Sequence, residues 1–195
     1  MNKKYLIKLI NGDTSILKEG LELSKEELSD LNSRFKIYQY LQETNAHTLK
    51  NMADERTIKK YKELTTSEFV GCEDDGTLLF KTKSSDGSKY YEERIVLDDL
   101  DTYKKDTTLT DFKRVTLAIT GDIRVKCSCP AFLWWGSEYI LTYLKAVEGP
   151  GNTIFPEVRN PELKGSVCKH LLNVFDILPF STGKIVQALR NKKIL

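Results

Sequence analysis

The sequence predicts an α+β fold, with N-terminal helices, an antiparallel β meander, a clamped hairpin and C-terminal helices. Three observations carry that expectation. Apolar residues recur at steps of three and four toward both ends of the chain, as on amphipathic helices. Between about residues 67 and 127, short β-branched and aromatic runs alternate with clusters of Asp, Gly and Ser, as in an antiparallel sheet. Cys127 and Cys129 stand two residues apart at the end of that region, and Cys168 and His170 repeat the spacing at the start of an apolar run. No linker, repeat or low-complexity tract divides the 195 residues, so one domain, 1–195, is expected, with 115–180 as an embedded metal-binding module.

Residues 5–10 form a short apolar run closed by Asn11-Gly12-Asp13, a strand and turn signal. Ser24 followed by Glu27 is a capping box, and Leu28, Leu31, Phe35 and Tyr38 lay an apolar stripe behind it. Asn45 or Thr48 caps a second helical stretch, which places Leu49, Met52, Tyr61 and Leu64 on one face. His47, at its start, has no partner at metal-ligand spacing and reads as a solvated or capping histidine.

Strands follow over 69–72, 77–82 and 90–97, separated by Asp74-Asp75-Gly76 and the Ser-rich turn 84–88. Residues 115–119 and 123–127, joined by Thr120-Gly121-Asp122, predict a hairpin that delivers Cys127. In an extended segment residues i and i+2 share a side, so Cys127 and Cys129 present both sulfurs together, and Pro130 ends the strand. Residues 134–144 predict one aromatic-rich helix broken by Gly149-Pro150-Gly151-Asn152. Residues 171–178 predict a helix ending near Pro179, and a last helix opens at Ser181-Thr182-Gly183-Lys184.

The Cys/His set is the chemical centre of the sequence. Three thiolates and one imidazole suit borderline-soft zinc and fill a tetrahedron, leaving no position for water or substrate. Cys127, Cys129, Cys168 and His170 are therefore the expected Zn2+ ligands, and the site is structural in kind. A disulfide framework needs an oxidising compartment, and the first eight residues have no apolar run of signal-peptide length because Lys8 interrupts it, so secretion is not expected. A nucleophilic Cys168/His170 pair lacks a base-orienting group nearby. Cys72 stands alone and reads as a small apolar residue.

Cys127-Ser128-Cys129-Pro130-Ala131-Phe132 followed by Cys168-Lys169-His170 resembles the SWIM zinc finger, with Cys-x-Cys, a spacer and Cys-x-His on a strand-strand-helix frame. The resemblance covers about a quarter of the chain and implies zinc at those four ligands, with DNA or protein as partner. The spacer, 130–167, is longer than most in that family. The same Cys-x-Cys-Pro-x-Phe, the aromatics around Trp134, Trp135, Tyr139 and Tyr143, the Asn160-Pro161 step and Gly165-Ser166-Val167-Cys168-Lys169-His170 also resemble uncharacterised tailed-bacteriophage proteins, some of them virion components. That resemblance implies a virion location; without it the chain reads as cytoplasmic.

Charge and motifs bound the function. Formal net charge is +2, and Lys59-Lys60, Lys104-Lys105 and Lys192-Lys193 are offset by Glu73-Asp74-Asp75, Glu92-Glu93 and Asp98-Asp99, so no basic stripe appears. No apolar span reaches membrane-crossing length, and no phosphate loop, carboxylate pair or open three-ligand metal site marks an enzyme or a small-molecule substrate. The expected function is a non-enzymatic, zinc-stabilised structural or adaptor protein that binds other subunits of an assembly through Trp134, Trp135 and Tyr139. The alternative is nucleic-acid binding, with Lys126, Arg159, Lys169 and Lys192 on phosphates and a tryptophan as stacking platform.

Overall fold

A computed structural model describes residues 44–64, 66–161, 163, 165 and 167–195, all within the unit Thr44–Leu195. The strand over 5–10, the turn at 11–13 and the helix behind Ser24 and Glu27 lie outside the described residues. The described part holds eight α-helices and a four-stranded antiparallel sheet, an α+β fold.

Two short helices, α1 (Ala46–Asn51) and α2 (Glu55–Tyr61), open it. Each has a polar side chain that accepts the backbone N–H three residues on, Asn45 from Thr48 and Asp54 from Thr57. Leu49 is buried, and His47 is exposed with its Nε2 3.1 Å from Asn51 Nδ2. The sheet runs β1 (Glu68–Cys72), β2 (Leu78–Lys83), β3 (Tyr90–Leu97) and β4 (Ile123–Cys127), in chain order.

Alternation decides which face is buried. Leu78, Phe80 and Thr82 on β2, Glu93, Ile95 and Leu97 on β3, and Ile123, Val125 and Cys127 on β4 all point to the core. The register lines them up in rows: Leu78, Ile95 and Val125 form one, and Phe80, Glu93 and Cys127 the next. The second row sets a carboxyl directly opposite a metal-ligand candidate. On the other edge of β4, Val125 exchanges backbone bonds with Ala146 and Glu148 at 2.8 and 3.0 Å, so that edge is covered at its middle.

Between β3 and β4 stand α3 (Leu100–Tyr103) and α4 (Asp111–Thr120). The hairpin expected from 115–119 is not formed, because those residues belong to α4 and the ladder partner of β4 is β3. Thr110 caps α4 by accepting from Lys113, and Val115, Ala118 and Ile119 bury one helical face at steps of three and one. The β-branched content suggested a strand, but the cap and the 3.6 period prevailed.

The expected aromatic helix over 134–144 is also divided. Gly136 adopts φ +89° between α5 (Pro130–Trp134) and α6 (Ser137–Tyr143). A Cβ at Gly136 would stand 2.9 Å from Pro156, so both conformation and space demand glycine there. Pro130 does end the extended segment, but as the first residue of α5, where a missing N–H costs nothing.

The helix α7 (Lys169–Ile177) packs on β2, β3 and β4 and against α1 and α2, burying His170 through Phe175. After a 3₁₀ turn at Pro179–Ser181, α8 (Thr182–Asn191) packs on α4 and β1. Among the described residues no helix is long and apolar enough to cross a membrane.

Candidate metal centre

Four residues on three elements converge on one buried point. Cys127 closes β4, Cys129 is the N-cap of α5, Cys168 is the N-cap of α7 and His170 lies in the first turn of α7. Their ligand atoms all lie within 4.8 Å of one another, and each residue is at most 3% exposed. Tetrahedral coordination with Zn–S near 2.3 Å and Zn–N near 2.0 Å gives edges of about 3.6–3.8 Å, so binding requires a contraction of roughly 1 Å at most. The Cys127 Sγ to His170 Nδ1 separation, 3.9 Å, is already close to that edge.

The local chain explains the convergence. The extended backbone of Cys129 turns its sulfur toward its own helix, where it accepts the Phe132 N–H at 3.3 Å. Helix α7 starts on extended Cys168, so Sγ of that residue and Nδ1 of His170 project from one turn. Phe132, Leu171 and Leu172 pack behind the site and keep it dry.

Burial and hydrogen bonding set the ionisation of the three thiols. Burial pushes the thiols of Cys127 and Cys168 well above the usual cysteine value, while hydrogen bonds from those thiols hold Cys129 well below it. One thiolate is tolerated among three sulfurs in a dry cluster. A divalent cation at their centre offsets the repulsion and lets all three ionise, and this is the chemistry the donor set fits. Three sulfurs and one imidazole nitrogen can hold one metal ion with four protein donors. When bound, the ion ties β4, α5 and α7 together.

Glu93 is the residue that the sequence reading missed. It is fully buried, its Oε2 accepts from Thr82 Oγ1 at 2.9 Å, and its Oε1 lies 3.6 Å from Cys127 Sγ. Burial pushes its carboxyl up to about 8, and the Cys127 thiol donates to its Oε1. Alternation on β3 held the signal, because Glu93 falls in phase with Ile95 and Leu97. The ring of His170 rests on Tyr91 with centroids 4.6 Å apart, and its buried Nε2 has no hydrogen-bond partner among the described residues.

The other expected site residues separate. Trp134 is 65% exposed. Tyr139, expected at a partner surface, is 1% exposed and packs on Tyr143 and Phe155, because α6 turns that face into the spacer's own core. Trp135 is half-buried and has the Arg56 guanidinium 4.1 Å and the Arg159 guanidinium 5.9 Å from its ring centroid. Arg159, Lys169 and Trp135 line a single pocket, together with Arg56 and Lys60. Lys126 is not among its lining residues, and Lys192 is elsewhere, paired with Asp74 at 2.6 Å. The four candidate phosphate contacts thus form no single surface; two of them meet at the pocket.

The chain matches no family model, no curated protein and no solved structure. The centre therefore rests on its own residues: four buried Cys and His side chains that can hold a metal ion. His47 should be irrelevant to it. Metal analysis of His47→Ala is expected to find the wild-type content, whereas His170→Ala loses most of the metal; equal loss in both variants would reassign the fourth ligand.

Proposed function

We propose that this chain is a non-enzymatic, zinc-stabilised adaptor whose exposed tryptophan binds another protein of an assembly. The closed ligand set carries the reading: with four protein donors around one point, zinc there holds structure and offers no position to a substrate. The resemblance of the Cys-x-Cys-Pro-x-Phe and Cys-Lys-His segments to tailed-bacteriophage proteins supports a virion as the assembly.

Trp134 is the anchor that the geometry favours. It stands on the helix that begins at the ligand Cys129, so the metal holds its backbone while its side chain is open to solvent. Large aromatic side chains on a rigid element are the commonest interface hot spots. Trp134→Ala is expected to leave metal content and melting temperature near wild type and to weaken incorporation into the assembly by about 2 kcal/mol or more. Co-sedimentation with purified particles measures it. Trp134→Ala that incorporates normally, or sub-micromolar duplex-DNA binding that falls steeply with salt, would overturn the reading.

A further inference from the structure

The pocket beside the metal centre has a composition that the adaptor reading does not use. It encloses about 310 Å3 and is lined by Arg56, Lys60, Arg159 and Lys169, with Trp135 and the amide-bearing Asn160 between them. Asp54 is the one acidic residue in the lining, and its carboxylate already caps α2 by accepting the Thr57 N–H. Among the described residues none of the four cations forms an ion pair with a carboxylate: the two guanidinium groups lie over the Trp135 ring and the Lys169 ammonium donates to Ser85 Oγ.

Four positive charges around one concavity, against one engaged carboxylate, produce a focused positive potential that an anion relieves. Arg side chains bind phosphate through paired N–H donors, and Lys side chains contribute point charges. The indole adds something a simple anion does not need. Its ring and the guanidinium planes on it are flat surfaces, and planar bases stack on such surfaces in single-stranded recognition. The volume lies at the small end of the range for ligand sites, the scale of one nucleotide and too confined for a duplex, whose bases are already stacked.

We propose that this pocket binds a nucleotide unit, with the base on the Trp135–arginine stack and the phosphate among Lys60, Arg159 and Lys169. The unit comes either from a free nucleotide or from a single strand. The ligand Cys168 lines the same pocket and Lys169 follows it in sequence, so the proposal rests on the metal-stabilised reading for the position of one cation.

The test uses the full, metal-loaded chain. In a Trp134→Phe background Trp135 is the only tryptophan, and its fluorescence is titrated with adenosine monophosphate, inorganic phosphate, an oligothymidine ten-mer and an acidic peptide. Saturable quenching is expected with the nucleotide, at least about tenfold tighter than with inorganic phosphate, because the base adds its stacking contribution. Lys60→Gln and Arg159→Gln, both at exposed side chains, should each weaken binding by about tenfold with zinc content unchanged, and Arg159→Lys should restore part of it. Oligonucleotide binding at least about tenfold tighter than the mononucleotide, and competitive with it, assigns the pocket to a strand; equal affinity assigns it to a free nucleotide. No saturable binding of either, binding no tighter than inorganic phosphate, preference for the acidic peptide, or indifference to both Gln variants overturns the proposal. Zinc measured in the same samples separates the outcomes: one ion per chain without nucleotide binding sinks the pocket and leaves the metal centre standing.

Discussion

Cys168→Ser is expected to abolish metal retention as completely as Cys127→Ser, although the two residues are 41 positions apart on different elements. Both thiols are buried at the same point, within 4.8 Å of Cys129 and His170, and each closes one corner of a four-donor set. Removing either opens the tetrahedron and leaves the remaining sulfurs to repel one another. The wild type should carry about one zinc ion per chain, because the four ligands close one tetrahedron. Structural zinc contributes on the order of 10–16 kcal/mol of apparent binding free energy in small zinc folds, comparable to the whole stability of an ordinary domain at about 5–15 kcal/mol. The loss should therefore appear as a large drop in melting temperature as well as in metal content. Chelation of the wild type should reproduce it. A wild-type protein that holds no metal when purified without chelator, or a centre in which only one of the two cysteines matters, would remove the zinc reading.

Limited proteolysis adds a spatial readout to that experiment. A bound ion would join the end of β4 to the first turns of α5 and α7, so its loss should loosen those junctions first. Leu78, Ile95 and Val125 form a row of the sheet that does not include a ligand, and β2 and β3 should stay protected longer.

The Cys/His cluster was legible because coordination imposes a spacing that sequence preserves. Two donors two residues apart, twice, state a constraint that local structure can satisfy in several ways. The ways differ here from the simplest reading: Cys129 lies past the strand as a helix cap, and Cys168 and His170 span an N-cap and the first helical turn. The meander was legible for the same reason, since alternation and turn chemistry are local. What was not legible is what depends on tertiary choice. Residues 115–119 satisfy both a strand and a helical face, and the docking of Val115, Ala118 and Ile119 decides between them. Tyr139 and Trp134 are similar in type, and only the turn at Gly136 sends one inward while the other remains exposed. The pocket joins α2 to the spacer and to α7, so Arg56 and Lys60 carry no sequence mark that links them to Arg159.

Glu93→Gln is expected to stabilise the protein at pH 8 and to leave it nearly unchanged at pH 5. In the unfolded chain this carboxyl titrates near 4.5, while burial raises it to about 8 in the fold. The folded state therefore holds a proton that the unfolded state releases across that interval. The associated stability is fully present below about 4.5, declines as pH rises, and is gone once pH passes the folded value near 8. The slope approaches about 1.4 kcal/mol per pH unit at most, so a difference of about 2–4 kcal/mol between variant and wild type should develop from pH 5 to pH 8. Glutamine matches the shape, keeps an oxygen for Thr82 and can offer an N–H toward Cys127 without titrating. Acid also strips zinc by protonating its ligands, and Glu93 touches one of them, so metal content is measured in every sample and only samples of equal content are compared. Glu93→Ala should cost about 2–4 kcal/mol at pH 5, because it leaves a cavity, and the cost should shrink toward pH 8 because alanine does not titrate either. Denaturant midpoints at pH 5, 6, 7 and 8 measure all three proteins. A constant offset between Glu93→Gln and wild type would show that the carboxyl does not titrate with folding, and that its contact with Cys127 is packing alone.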